Sequence, residues 1–152
     1  MSLGEICSRD VVFVRRGESV ALACGLMREH HVGSLVVVEE RAGARVPVGM
    51  FTDRDVAIGV VAQGLDPAKT PVEAAMRAEL VCARESEGLG RAVALMRAQG
   101  VRRLPVIDAG GALVGVLAAD DLLELFAEEL SGLAAIVGRG ERRERALRAA
   151  SG

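Results

Sequence analysis

The chain predicts a mixed α/β (α+β) fold: one β-α-β-β-α unit given twice, the copies related by a pseudo-twofold axis, followed by a C-terminal helical tail. The first observation behind this is internal self-similarity. Leu26-Met27-Arg28 recurs as Leu95-Met96-Arg97, and in that register Cys7 falls on Met76, Val12 on Val81, Glu18 on Glu87, Val32 on Val101 and Leu35 on Leu104. A shorter hairpin in the second copy then changes the register, so that Gly49 falls on Gly115 and Asp55 on Asp121. The second observation is a pair of matching apolar stripes at i, i+4, i+7: Val20, Cys24 and Met27, then Leu89, Val93 and Met96. Equal stripes predict helices that bury equivalent faces. The third is a nearly all-apolar strand pair in each copy, which predicts sheets covered on both faces.

The elements follow in order. Val11–Val14 is a short strand, and a helix runs from about Glu18 to His30. His30 and His31 point about 100° apart on a helix, so they read as its end and not as a metal site. Ser34–Glu39 and Val46–Phe51 flank the turn Ala42-Gly43-Ala44, and a Thr52–Val61 helix closes the first copy. After the linker, Thr70 reads as an N-cap with Pro71 at the first helical position and Glu73 as the capping acid. Gly100 ends the second long helix as a left-handed residue. Leu104–Ile107 and Ala112–Leu117 then flank the turn signal Asp108-Ala109-Gly110-Gly111. The resulting boundaries are repeat 1 over 4–64, a linker over 65–70, repeat 2 over 71–128 and a tail over 129–152. The tail carries Leu133, Ile136 and Val137, then Glu141-Arg142-Arg143-Glu144-Arg145. It reads equally as a solvated, frayed helix and as a helix that packs on a partner.

Composition narrows the function. Of 152 residues, 51% are hydrophobic, enough for a real core. Aromatics are 2%, and Phe13, Phe51 and Phe126 are the only rings, too few for base-stacking platforms. A net charge of −2 and a pI near 5.8 also argue against a nucleic-acid binder. Lys69 is the one lysine; the other basic residues are arginines, which suit bidentate phosphate contact. Cys7, Cys24 and Cys82 are odd in number and lack CxxC spacing, which fits a reducing, cytoplasmic setting. No Ser/His/Asp, Cys/His or metal-ligand constellation appears, so no catalytic and no metal residues are assigned and an enzyme is not expected. Asp53, Asp55, Asp120 and Asp121 could at most hold Mg²⁺ beside a ligand. Neither a signal pattern nor a membrane-spanning apolar run is present.

Candidate chemistry gathers at Gly49-Met50-Phe51-Thr52-Asp53-Arg54-Asp55, where a strand runs into a helix start. Free backbone N–H groups there suit an anion, and an aspartate can accept from two neighbouring ribose hydroxyls. Thr52 and Asp55 are also a capping pair, which is the commoner use of that spacing.

Gly49-Met50-Phe51-Thr52-Asp53-Arg54-Asp55-Val56, Val101-Arg102-Arg103-Leu104-Pro105-Val106-Ile107-Asp108 and Gly115-Val116-Leu117-Ala118-Ala119-Asp120-Asp121-Leu122, duplicated and in register, resemble tandem CBS domains, a Bateman module, over about residues 4–128. The layout and the Thr-Asp-Arg-Asp motif are similar to small bacterial two-CBS proteins of the hypoxic-response-protein type. The resemblance implies a non-catalytic sensor that binds an adenine nucleotide (AMP, ADP or ATP) or another adenosyl-type small molecule between the repeats, with no required cofactor. It also implies a homodimer and a protein partner of unknown identity. In the second-copy site it assigns ribose to Asp121, phosphate to Arg102 and Arg103, and the wall to Cys7 and Val12. Ala118 stands where the family has Ser or Thr, and Asp120 is left as a cap. In the first-copy site Thr52 and Asp55 match, with Met76 and Val81 as wall, but Gly33 and Ser34 replace the two arginines. The arginine-bearing site is therefore expected to bind phosphate better. The alternative is a ligand-free dimeric assembly protein that keeps the fold.

Overall fold

The computed structural model describes residues 1–150; positions 151 and 152, the end of the expected tail, lie outside the described residues. A short α1 (Leu3–Ile6) precedes β1 (Phe13–Arg15), α2 (Val20–His30), β2 (Ser34–Arg41) and β3 (Ala44–Thr52). β1 pairs parallel with β2, and β2 pairs antiparallel with β3. A parallel pair needs a crossover connection, and α2 supplies it. The second copy repeats the order with β4 (Ala83–Arg84), α4 (Leu89–Gln99), β5 (Arg103–Ile107) and β6 (Leu113–Ala118). Leu35 to Val38 and Leu104 to Val106 are buried without alternation, as strands covered on both faces should be.

The helix ends are as the residues dictate. Ser19 Oγ caps α2 by accepting from Leu22 N at 3.2 Å. His31 (φ 53°) and Gly100 (φ 63°) close α2 and α4 in the left-handed region. The apolar stripes bury Val20, Met27 and Met96 as expected and differ at the middle step. Val20, Ala23 and Met27 are the buried face of α2, and Ala92 and Met96 that of α4. Cys24 is packed only at the core's edge, and Val93 is 38% exposed. Ala23 and Ala92, both fully buried, take the middle step in place of Cys24 and Val93.

Two further expectations change. The helix expected over Thr52–Val61 is one α-turn, α3 (Asp53–Asp55), running into a π-helix over Val56–Val61. Val56, Ile58, Val60 and Val61 are β-branched and crowd an α-turn, and the wider turn carries them. Thr70 does not cap the next segment. Its hydroxyl donates to Asp66 O at 2.8 Å, and Pro71 flanks a single 3₁₀ turn over Val72–Ala74. Asp66 organises that linker turn, accepting also from Lys69 N and Thr70 N.

The pseudo-twofold relation appears as paired hydrogen bonds between the repeats. Leu3 N donates to Glu87 O at 2.9 Å, and the equivalent Val72 N donates to Glu18 O at 2.8 Å. Met50 and Arg77 form an isolated antiparallel bridge, and the equivalent Val116 and Ser8 form another. Each repeat thus lends its leading segment to the other's last strand. The chain divides into two compact units, Met1–Leu117 and the segment from Ala118 onward. The first holds these contacts; the second is α5, one continuous helix over Ala119–Ala150. At ~1.5 Å per residue it is about 48 Å long.

Candidate nucleotide site

β3 delivers Thr52 to the entrance of α3, where the residue closes a capping box. Thr52 Oγ1 accepts from Asp55 N at 3.2 Å and donates to Asp55 Oδ2 at 2.9 Å, and the same carboxylate oxygen accepts from Thr52 N at 2.9 Å. The capping reading of the motif is therefore realised. It uses one carboxylate oxygen; the other, Oδ1, lies 3.9 Å from Arg77 Nε. Because α3 is a single turn, its dipole offers little to an anion. Thr52→Ala is expected to lower unfolding stability by about 0.5–2 kcal/mol, read as a lower urea midpoint at constant slope, with Thr52→Ser nearly unchanged.

Thr52 borders a cavity of about 800 Å³ between the repeats. From the first repeat it is lined by Gly33, Ser34, Met50, Thr52, Asp53 and Arg54. Residues 77–81 and 99–103 complete it from the second, including Arg77, Leu80, Val81, Arg102 and Arg103. Its size falls in the range of small-molecule sites. Four arginines, Arg54, Arg77, Arg102 and Arg103, and two acids, Asp53 and Glu79, are among its lining residues. That excess of positive charge, with arginine's fork geometry, suits a phosphate chain. Met50, Leu80, Val81 and Val101 give the apolar surface a flat ring needs.

Arg102 and Arg103, expected beside Cys7 and Val12, line the Thr52 cavity. Arg103 Nη1 donates to Ser34 Oγ at 3.0 Å. Ser34 and Arg103 are equivalent positions, each the first residue of its strand. Equivalent residues that touch lie on the axis relating the copies, so Arg103 is axial and supplies the charge the first copy lacks. Gly33 fits the same account, since a Cβ there would meet Asp53 Oδ2 at 3.0 Å.

Of the other expected site residues, Val81 lines the cavity and Asp55 stands behind Thr52. Met76 does not line it; its sulfur packs over Gly49. Cys7 is buried against Gly115 in the equivalent manner, and Val12 packs on the first repeat's core. Ala118 ends β6, while Asp120 and Asp121 lie in the first turn of α5, both exposed. Asp120 is thus inside the helix and not its N-cap. Burial pushes all three thiols up, Cys82 to about 11, so each stays protonated at neutral pH and none is poised as a nucleophile. Arg77 and Leu80 also line the cavity, although no motif in the sequence marks them. The register that sets Arg77 on Ser8, in the leading segment lent to the other repeat, was the available signal.

Among the described residues, no group of three or more His, Cys, Asp or Glu could hold a metal, and no helix is long and apolar enough to cross a membrane. A family model for the CBS domain matches residues 3–61 and 72–128. The CBS domain-containing protein YhcV of Bacillus subtilis is 38% identical over 121 residues, covering 80% of this chain and 82% of that protein. An uncharacterized protein of Methanopyrus kandleri, MK0525, is 35% identical over 125 residues; these are 82% of this chain but 62% of that longer one. Among solved structures, Hypoxic Response Protein I with two coordinated zinc ions superposes with a TM-score of 0.72 at 27% identity, covering 82% of this chain and 98% of that one. The CBS domain pair of MJ0100, solved with 5′-methylthioadenosine and S-adenosyl-L-methionine, has a TM-score of 0.72 and covers 85% of this chain and 98% of that one. At 23% identity that likeness is one of fold.

Proposed function

The chain belongs to the CBS-domain family, and from that premise we propose that it is a non-catalytic regulatory module whose inter-repeat cavity binds an adenine nucleotide and reports it to a protein partner. The observation that carries this reading is the convergence of Arg54, Arg77, Arg102 and Arg103 on one cavity beside Thr52 and Asp55. The arginines take the phosphates. Asp55 Oδ1, which the cap leaves unused and which lies 3.9 Å from Arg77 Nε, accepts from ribose hydroxyls, and Leu80 and Val81 cover the base. The adenosyl ligands held by MJ0100, a protein of the same fold, agree with that ligand class. Stand-alone members of the family are generally regulatory. Ligand here touches both repeats, so binding biases their arrangement, and a homodimer would carry the change outward.

Isothermal titration of the full chain with adenosine, AMP, ADP, ATP and S-adenosylmethionine tests the reading. Affinity is expected to rise with phosphate number, and Asp121→Ala, titrated in parallel, reads the second-copy motif separately. Absence of heat with every ligand, at concentrations up to the millimolar range, would sink it. The exposed apolar residues of α5 favour a second reading, an assembly protein, which would bind no nucleotide and still self-associate.

A further inference from the structure

We propose that α5 is a self-association element that pairs antiparallel with α5 of a second copy of this chain. Leu123, Phe126, Leu130, Leu133 and Val137 follow at alternating steps of three and four, and all are between 42 and 67% exposed. That spacing is the a/d pattern of a coiled coil, whose natural occupant is another helix. Ile136, 67% exposed, broadens the stripe. The helix also contains Gly132, Gly138 and Gly140, whose absent side chains face open space. Each glycine costs a helix interior about 1 kcal/mol relative to alanine, so a helix of this composition draws its stability from packing on a partner.

Charge selects the partner and its direction. Residues 119–137 hold five acids and no base, whereas residues 138–150 hold five arginines against two acids. A parallel pair would set acid on acid along one half and place Arg143 beside Arg148 of the second copy. An antiparallel pair lays each acidic half on a basic half. In the register that stacks Leu133 on Val137 of the second copy, Glu129 meets Arg143 twice by symmetry, Leu130 meets Gly140, and Ile136 meets its own equivalent. One sequence thus supplies both sides of the seam, which a heterologous partner would not require.

Disulfide trapping in the full-length protein tests this, with the wild type, whose three cysteines are wholly or partly buried, as control. Under mild oxidation Ile136→Cys is expected to convert to a covalent dimer on a denaturing gel, while Leu123→Cys, far from its own equivalent in this register, stays monomeric. Adding Arg143→Glu should slow trapping of Ile136→Cys several-fold, and adding Glu129→Arg as well should restore it. Trapping of Leu123→Cys but not Ile136→Cys means a parallel seam and overturns the proposal. Equal trapping of both means collision, and no trapping of either means that this stripe has another occupant; each also overturns it. None of these outcomes bears on nucleotide binding, which the titration above reads separately.

Discussion

Arg102→Ala/Arg103→Ala is expected to weaken ATP binding by about a hundredfold while leaving adenosine within about threefold of the wild type. Both side chains line the cavity, and Arg103 is held on the axis by its bond to Ser34 Oγ. A hydrogen bond to a charged group contributes about 1.5–3 kcal/mol. Arg102 is exposed and Arg103 half-buried, so solvent discounts each toward the lower end. A combined loss of about 3 kcal/mol corresponds to roughly a hundredfold in Kd. Arg28→Ala/Arg97→Ala removes the same charge from exposed positions near the ends of α2 and α4 that do not line the cavity, and should change ATP affinity little. The wild-type preference for ATP over adenosine should also shrink with added salt, as a partly exposed phosphate contact is screened. Equal losses for adenosine and ATP would mean that the arginines shape the cavity without touching phosphate. Equal losses in the two double variants would reduce the effect to net charge.

The duplication was legible because it is written in apolar spacing and in glycine, which the register Leu26 to Leu95 and Gly49 to Gly115 exposes directly. The helix ends at His31 and Gly100 were legible for the same reason, since a local conformation demanded a local signal. Side-chain placement across the axis was not. Arg102 and Arg103 were assigned by carrying a family pattern along the chain, whereas their position depends on which equivalent residues meet, a long-range fact. Ser34 opposite Arg103 is the contact that decides it, and nothing in either strand alone announces the pairing. On α2 the spacing locates Val20 and Met27 but not Ala23, whose small side chain is fully buried between them while Cys24 stands at the core's edge. Thr52 and Asp55 stayed ambiguous in sequence because capping and ribose binding ask for the same atoms. The structure shows the cap and leaves one carboxylate oxygen outside it.

Gly49→Ala and Gly115→Ala should each destabilise the protein by about 1–3 kcal/mol, a fall in Tm of roughly 2–12 °C for a chain of this size. A Cβ on Gly49 would lie 2.7 Å from the carbonyl oxygen of Arg77 and 3.0 Å from the sulfur of Met76. On Gly115 it would lie 2.6 Å from Cys7 Sγ and 2.7 Å from Ser8 O. In both places backbone stands in the way, so no rotamer change relieves the contact. Each neighbouring carbonyl belongs to a two-way bridge: Met50 with Arg77 at 3.2 and 3.0 Å, and Val116 with Ser8 at 2.9 Å both ways. Gly25 and Gly90 lie within α2 and α4 and have nothing within 4 Å of the missing Cβ. There the same substitution should stabilise by about 0.4–1 kcal/mol through the unfolded chain and helix propensity. Opposite signs for one chemical change would locate the effect in the close approach of the repeats, whereas a neutral Gly49→Ala would remove that approach as a source of strain. The bridge at Arg77 also anchors residues 77–81, which wall the cavity. Gly49→Ala should therefore weaken ATP binding as well as folding, while Gly115→Ala, whose bridge holds the leading segment of the first repeat, should lower stability and leave the Thr52 cavity close to its wild-type affinity.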